Sequence, residues 1–141
     1  MSEPCELCHT TGGTLLWQND LCRVVLADDA RYPGFCRVIL RRHAAEMSDL
    51  AGPEREGLVK VVFAVEEAVR DTMRPDKMNL ASLGNVVPHV HWHVVPRFRD
   101  DAHFPTPIWG EPRREGIVDA ARLANAARLP EVVRAHLERL P

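Results

Sequence analysis

The sequence has no apolar run long enough to cross a bilayer. Its longest, such as Val61-Val62-Phe63-Ala64-Val65, fall far short of the about 20 residues that a spanning helix needs. Met1-Ser2-Glu3-Pro4-Cys5 carries no apolar signal segment either. Excess positive charge is also missing. Eighteen Lys and Arg stand against 20 Asp and Glu, a net charge of -2, which excludes a broadly basic nucleic-acid-binding surface. A small anionic ligand held by a local cluster remains compatible with that balance. There is no internal repeat and no low-complexity segment. These absences describe a cytoplasmic protein with neither membrane nor nucleic-acid partners. Cysteine is sparse, at four residues, and in a reducing compartment burial or metal binding is expected of them before disulfides.

What is present suits one compact domain with a hydrophobic core: 141 residues, 45% hydrophobic and 27% charged. Residues 14–18, 21–27 and 35–41 read as short strands joined by brief turns, a hairpin or meander. Ser48-Asp49-Leu50 reads as a single turn. Pro53 opens the longest helix, with Glu54 and Glu56 at its positive end. Leu58, Val61, Val62, Val65, Val69 and Met73 recur on one face of it, and Pro75 stops it. Residues 77–83 form a further strand, and Gly84-Asn85 turns into another. The segment from Phe98 to Trp109 is long, irregular and rich in proline and aromatics, as functional or wrapping loops often are. Residues 119–129 and 131–140 read as two short helices separated by Pro130. Strands, helix, strands, helices is the order of an α+β domain, an antiparallel sheet covered by helices on one face.

One stretch dominates the chemistry. In His89-Val90-His91-Trp92-His93-Val94-Val95, strand periodicity over residues 88–95 puts three imidazoles on one face and Val90, Trp92 and Val94 on the other. Pro96, with no N–H for the ladder, is expected to end the strand. Imidazole ionises near neutrality, so it suits proton transfer and nucleophilic attack. Three readings compete. His91 could attack phosphorus, flanked by two residues that orient it or move protons. The three histidines could instead hold a catalytic zinc with an open position. The bland reading is a polar, inert strand face.

The seven residues match, at every position, the signature of the histidine triad (HIT) nucleotide hydrolases and transferases, His-φ-His-φ-His-φ-φ with φ apolar. The Pro33-Gly34 turn before a strand, the basic pair Arg41-Arg42 before His43 and the glycine turn before the triad are similar too. The resemblance covers most of residues 5–109 and leaves a C-terminal helical extension, about residues 116–141, outside it. It implies a five-stranded antiparallel sheet with one long helix, in a single domain spanning 1–141. It further implies a homodimer, a small-molecule nucleotide as ligand, and catalysis through a nucleotidylated His91. His93 would assist the leaving group and His89 would orient the pair or bind metal. Asn79 and Asn85 would meet phosphate oxygens. Asp28, or its neighbour Asp29, would meet the ribose hydroxyls. A carboxylate suits vicinal hydroxyls and would repel phosphate. Dinucleoside polyphosphates and adenosine phosphoramidates are the implied substrate classes, with no cofactor needed for catalysis. A histidine that some members carry two residues after the turn proline is Phe35 here. His93 stands where the transferase branch has glutamine, which favours hydrolysis.

Cys5-Glu6-Leu7-Cys8 has the spacing of a zinc knuckle, but zinc needs four ligands. HIT branches with an N-terminal CxxC resemble this chain and complete the set with His43 and His89, a structural zinc site. The bland alternative is a pair of semi-buried thiols. Cys22 and Cys36 read as small core residues. Arg41, Arg42, Lys77, Arg97 and Arg99 could lend positive potential near the triad. Trp109 could stack on a base or cap the site. His9, His103 and His136 are expected to be exposed.

Overall fold

A computed structural model describes residues 4–141; Met1 to Glu3, part of the stretch read above for a signal segment, lie outside the described residues. Among those described, no helix is long and apolar enough to cross a membrane. Five strands form an antiparallel sheet: β1 Thr14–Gln18, β2 Cys22–Leu26, β3 Cys36–Leu40, β4 Lys77–Ala81 and β5 His91–Arg97, in the order β1-β2-β3-β5-β4. The helices are α1 Glu6–His9, α2 Gly52–Met73 and α3 Ala120–Glu138. One 3-10 turn, Met47–Asp49, precedes α2.

Alternation sorts the sheet into two faces. Val24, Val38, Leu40 and Val94 point to one side and are fully buried against α2 and α3. The stripe expected on α2 is the one that is buried, from Leu58 to Met73. Glu54 accepts the Ala51 N–H at 2.9 Å at the helix start, and Arg74 closes the other end with φ 50° just before Pro75.

Registers place Val25 opposite Arg37, Arg37 opposite His93 and Ile39 opposite His91. These residues share the second sheet face, which α2 and α3 leave open. Two small clusters flank the histidines there. Leu7 of α1 packs with Val25 and Ile39, and Tyr32 packs with Phe35 and Val95. Gly34, at φ +86°, lets the Pro33-Gly34 turn lie against α2; a Cβ there would come within 2.8 Å of the Met73 side chain.

Two sequence expectations are corrected. Strand β5 does not stop at Pro96 but runs through it to Arg97. Asp76 donates its N–H to the Arg97 carbonyl, so Arg97 faces β4 and Pro96, one residue earlier, faces the β3 side. Pairing with β3 ends at Cys36 and Val94, so the missing Pro96 N–H breaks no ladder bond. The two C-terminal helices are one, with Pro130 inside α3. An interior proline costs about 3 kcal/mol. Leu129, Val133 and Leu137, all buried against the core, contribute about 1.5–3 kcal/mol each and outweigh it. Arg134 also ties this helix to β1, donating to the Leu16 carbonyl at 3.0 Å.

Candidate active site and metal centre

His91 and His93 sit at the start of β5 with ring centres 4.9 Å apart, edge to face. His91 donates Nδ1–H to the His89 carbonyl at 2.5 Å. A neutral imidazole carries one proton, so this bond leaves Nε2 with the lone pair. The ring is 8% exposed and opens onto a cavity of about 270 Å³. The turn before the triad, including Gly84, Asn85 and Val86, lines that cavity together with Trp109. Gly84 makes the turn possible with φ +76°.

His93 is held between aromatic rings, Phe35 at 5.7 Å and Trp109 at 4.8 Å. Burial, with smaller contributions from His91 and Arg37, pushes its pKa down to about 4. Its Nδ1 is buried and makes no hydrogen bond among the described residues. His93 is therefore neutral at pH 7. It does not store a proton at that pH.

His89 stands apart from the other two. It precedes β5 instead of lying within it, because Pro88 and the bond from His89 N–H to the Val87 carbonyl, 2.8 Å, keep this segment in a turn. The strand expected over residues 88–95 begins three residues later. The fully buried His89 ring donates Nε2–H to the Leu40 carbonyl at 2.6 Å, and Nδ1 lies among Cys5, Cys8 and His43. Burial lowers its pKa, so the ring is neutral and Nδ1 is a free ligand atom. That nitrogen lies 3.3 Å from Cys5 Sγ, 3.5 Å from Cys8 Sγ and 3.3 Å from His43 Nδ1. The His43 nitrogen is in turn 3.4 Å from Cys8 Sγ. A tetrahedral ion with bonds of about 2.0–2.3 Å separates its ligand atoms by roughly 3.3–3.8 Å. These spacings match, and all four atoms lie within 4.8 Å of one another, so the cluster could bind a metal ion. The single turn of α1 brings the two thiols together, and the Leu40 carbonyl orients the His89 ring behind them.

Both His89 nitrogens are committed here, so the ring cannot join His91 and His93 around a catalytic ion. Among the described residues, the Cys5, Cys8, His43 and His89 group is the one whose donor atoms converge.

The other expected residues are distributed less simply. Asn85 lines the cavity. Asn79 shares the histidine face but accepts from Arg97 at 2.8 Å. Asp28 is exposed at the end of β2, with φ 57° and its carboxylate on Thr14 Oγ1 at 2.9 and 3.0 Å. Asp29 caps its own loop by accepting the Arg31 N–H. Cys22 and Cys36 are fully buried, as expected of core residues. None of the five cations expected near the triad lines the cavity. Arg42 pairs with Glu54 at 2.9 Å, Arg41 donates to the Asn19 carbonyl, and Arg97 is buried.

Sequence reasoning missed a buried network behind the site. Arg97 and Asp101, each 2% exposed at the side chain, form a two-point ion pair at 2.8 and 3.0 Å. Asp101 also accepts the N–H groups of Phe98, His103 and Phe104. Burial opposes its ionisation, but Arg97 and those three donors win and hold the carboxyl well below its usual range. Tyr32 donates to Asp101 and receives His103 Nδ1–H at 2.5 Å. His103, expected to be exposed, is 2% exposed. An aspartate two residues before His103 is an Asx-turn signal, and it was the available clue.

The profile of the HIT domain family matches residues 11–100. The chain belongs to the HIT family. Its five-stranded antiparallel sheet with helices matches the fold of solved HIT structures. A histidine triad protein from Bradyrhizobium japonicum is similar at 29% identity, with TM-score 0.72, covering 89% of this chain and 91% of that one. One from Marinobacter aquaeolei has 26% identity, the same TM-score and the same coverage. Among curated relatives, an "AP-4-A phosphorylase" from Mycobacterium tuberculosis is 31% identical over 84 residues, 55% of this HIT chain and 43% of the relative. A "Bis(5'-adenosyl)-triphosphatase" from Saccharomyces cerevisiae is 29% identical over 73 residues, 48% of this chain and 35% of the relative. The chain spans less than half the length of these curated relatives.

Proposed function

We propose that this HIT protein is a nucleotide hydrolase that cleaves at the α-phosphate through a covalent nucleotidyl-His91 intermediate. The observation that carries this reading is the bond from His91 Nδ1–H to the His89 carbonyl, which leaves Nε2 as a neutral nucleophile beside the cavity. Nε2 attacks the α-phosphorus. The bond to the leaving group breaks, and the leaving group departs with its electron pair and takes up a proton. Water then attacks phosphorus, the P–N bond breaks, and the lone pair returns to Nε2. The net reaction consumes one water and releases a nucleoside monophosphate. His93, neutral and adjacent, relays the proton. Asn85 meets the phosphate oxygens. In this reading Asn79, held by Arg97, also serves the phosphate oxygens, and Asp28 or Asp29 meets the ribose.

The names of the curated relatives support an adenosine polyphosphate or related nucleotide as substrate. The cavity favours the phosphoramidate class within that range. Leu83, Val86, Val87 and Trp109 make its walls apolar, and no Lys or Arg lines it to balance a polyphosphate chain. The Cys5, Cys8, His43 and His89 donors fit zinc, which would supply a four-coordinate cross-link between α1 and the triad segment, not a catalytic ion. The sheet edge at β4, with Leu80 37% exposed, supports the homodimer reading, which a mass measurement in solution tests. The functional test is hydrolysis to a nucleoside monophosphate that is lost in His91→Ala and survives chelation. Turnover abolished by chelation would instead favour a zinc-dependent hydrolase. Binding without turnover would leave a nucleotide-binding module.

A further inference from the structure

We propose that Tyr32 is a positioning residue that ties the loop carrying Asp28 and Asp29 to the loop carrying Trp109, and so holds the indole against His93. This rests on the proposed function, in which His93 relays the proton. Tyr32 lies between β2 and β3 and is 3% exposed. Its hydroxyl reaches two groups of the loop after β5. It donates to Asp101 Oδ1 at 3.3 Å and accepts His103 Nδ1–H at 2.5 Å. Burial, with Asp101 next, pushes its pKa up to about 12, so the hydroxyl keeps the proton it donates.

The ring of the same residue meets the far end of that loop. Ile108 packs against the cluster of Tyr32, Phe35 and Val95. Among the described residues, no backbone hydrogen bond reaches Ile108 or Trp109, so this packing sets where the indole arrives. Phe35, from the same cluster, lies 5.7 Å from the His93 ring, and Trp109 lies 4.8 Å from it. One side chain therefore fixes the start of the loop by its hydroxyl and the end by its ring. On its own side Tyr32 is anchored by a turn, its N–H on the Asp29 carbonyl at 3.0 Å. Asp29 also accepts the Arg31 N–H. Neither of these bonds depends on the Tyr32 side chain. Cutting the tie should therefore disturb Trp109 and His93 and leave the loop of Asp28 and Asp29 in place.

The test is an NMR titration of the His93 ring in the full chain, alongside steady-state kinetics with an adenosine phosphoramidate. Wild type is compared with Tyr32→Phe, which loses the hydroxyl, Ile108→Ala, which loses the ring contact, and Tyr32→Leu, which loses both. In each variant the His93 resonances should move and its pKa should climb from about 4 toward 6.5, furthest in Tyr32→Leu. His91 and Arg37, the other ionisable groups at His93, are untouched, so the climb reports the indole. kcat should fall by about tenfold with KM nearly unchanged, because a misplaced group costs rate before affinity. A wild-type His93 titration in folded Tyr32→Phe and Ile108→Ala, with only the melting temperature lowered, would make Tyr32 merely structural and overturn the proposal. A moved His93 with kcat unchanged would overturn it too. If the Tyr32 variants do not fold, Ile108→Ala, at a half-buried position, decides alone. The titration reads the tie whether or not a nucleotide turns over, so a wild type without turnover would count against the proposed function alone.

Discussion

The His93 imidazole stands against the edge of the Trp109 indole, ring centres 4.8 Å apart and planes inclined by 65°. Trp109 reaches this place from the loop after β5 and is still 48% exposed. It therefore shields His93 while contributing little to the core. Trp109→Ala should raise the His93 pKa from about 4 toward its ordinary 6.5 and leave the melting temperature nearly unchanged. An NMR titration of the ring protons measures this. A pKa unmoved by the substitution would show that the indole is not what desolvates the ring.

Stability should fall in mild acid. His93 takes up a proton near pH 4 in the folded chain and near 6.5 once unfolded. Between those values the unfolded state binds more protons, so stability rises with pH across the window and is lost as pH drops through it. Burial lowers the pKa of His89 and His103 as well, which adds to the same slope. Denaturant melts of wild type and His93→Gln from pH 4 to 7 test the assignment. The variant should show a shallower slope, and equal slopes would remove His93 from the account.

The Arg97–Asp101 pair anchors the loop that carries Trp109, since Arg97 also donates to the Thr106 carbonyl at 2.8 Å. Removing one partner leaves a charge uncompensated in a buried place. Arg97→Met should cost about 3–5 kcal/mol, and the double variant Arg97→Met with Asp101→Leu should recover part of it. Urea unfolding measures both. A single-variant cost no larger than that of a surface substitution would contradict this role.

Purified protein should contain about one equivalent of zinc, held by the four donors. Cys5→Ser should lower both metal content and melting temperature. Elemental analysis with calorimetry decides, and a metal-free protein of full stability would refute the structural site.

Much of this was legible in the sequence because it is periodic and local. Thr14–Gln18 is strand β1 as expected, and the α2 stripe is the buried one. The CxxC met His43 and His89 as the family resemblance implied. What escaped was decided by distant partners. Tyr32 and His103 are 71 positions apart, and their hydrogen bond has no local signature. Pro130 reads as a break unless one knows that Leu129 and Val133 on either side of it are buried. The triad histidines look equivalent by alternation. The Leu40 carbonyl and two thiols, remote in sequence, turn His89 to a different task.

The most direct test of the central claim is the intact mass of the protein after rapid mixing with an adenosine phosphoramidate or diadenosine polyphosphate and a non-acidic quench. Wild type and His91→Ala are compared, each with and without chelator. The account predicts a gain of one adenylate in wild type, with or without chelator, and none in His91→Ala. No adduct in any sample, together with turnover that chelation abolishes, would contradict it.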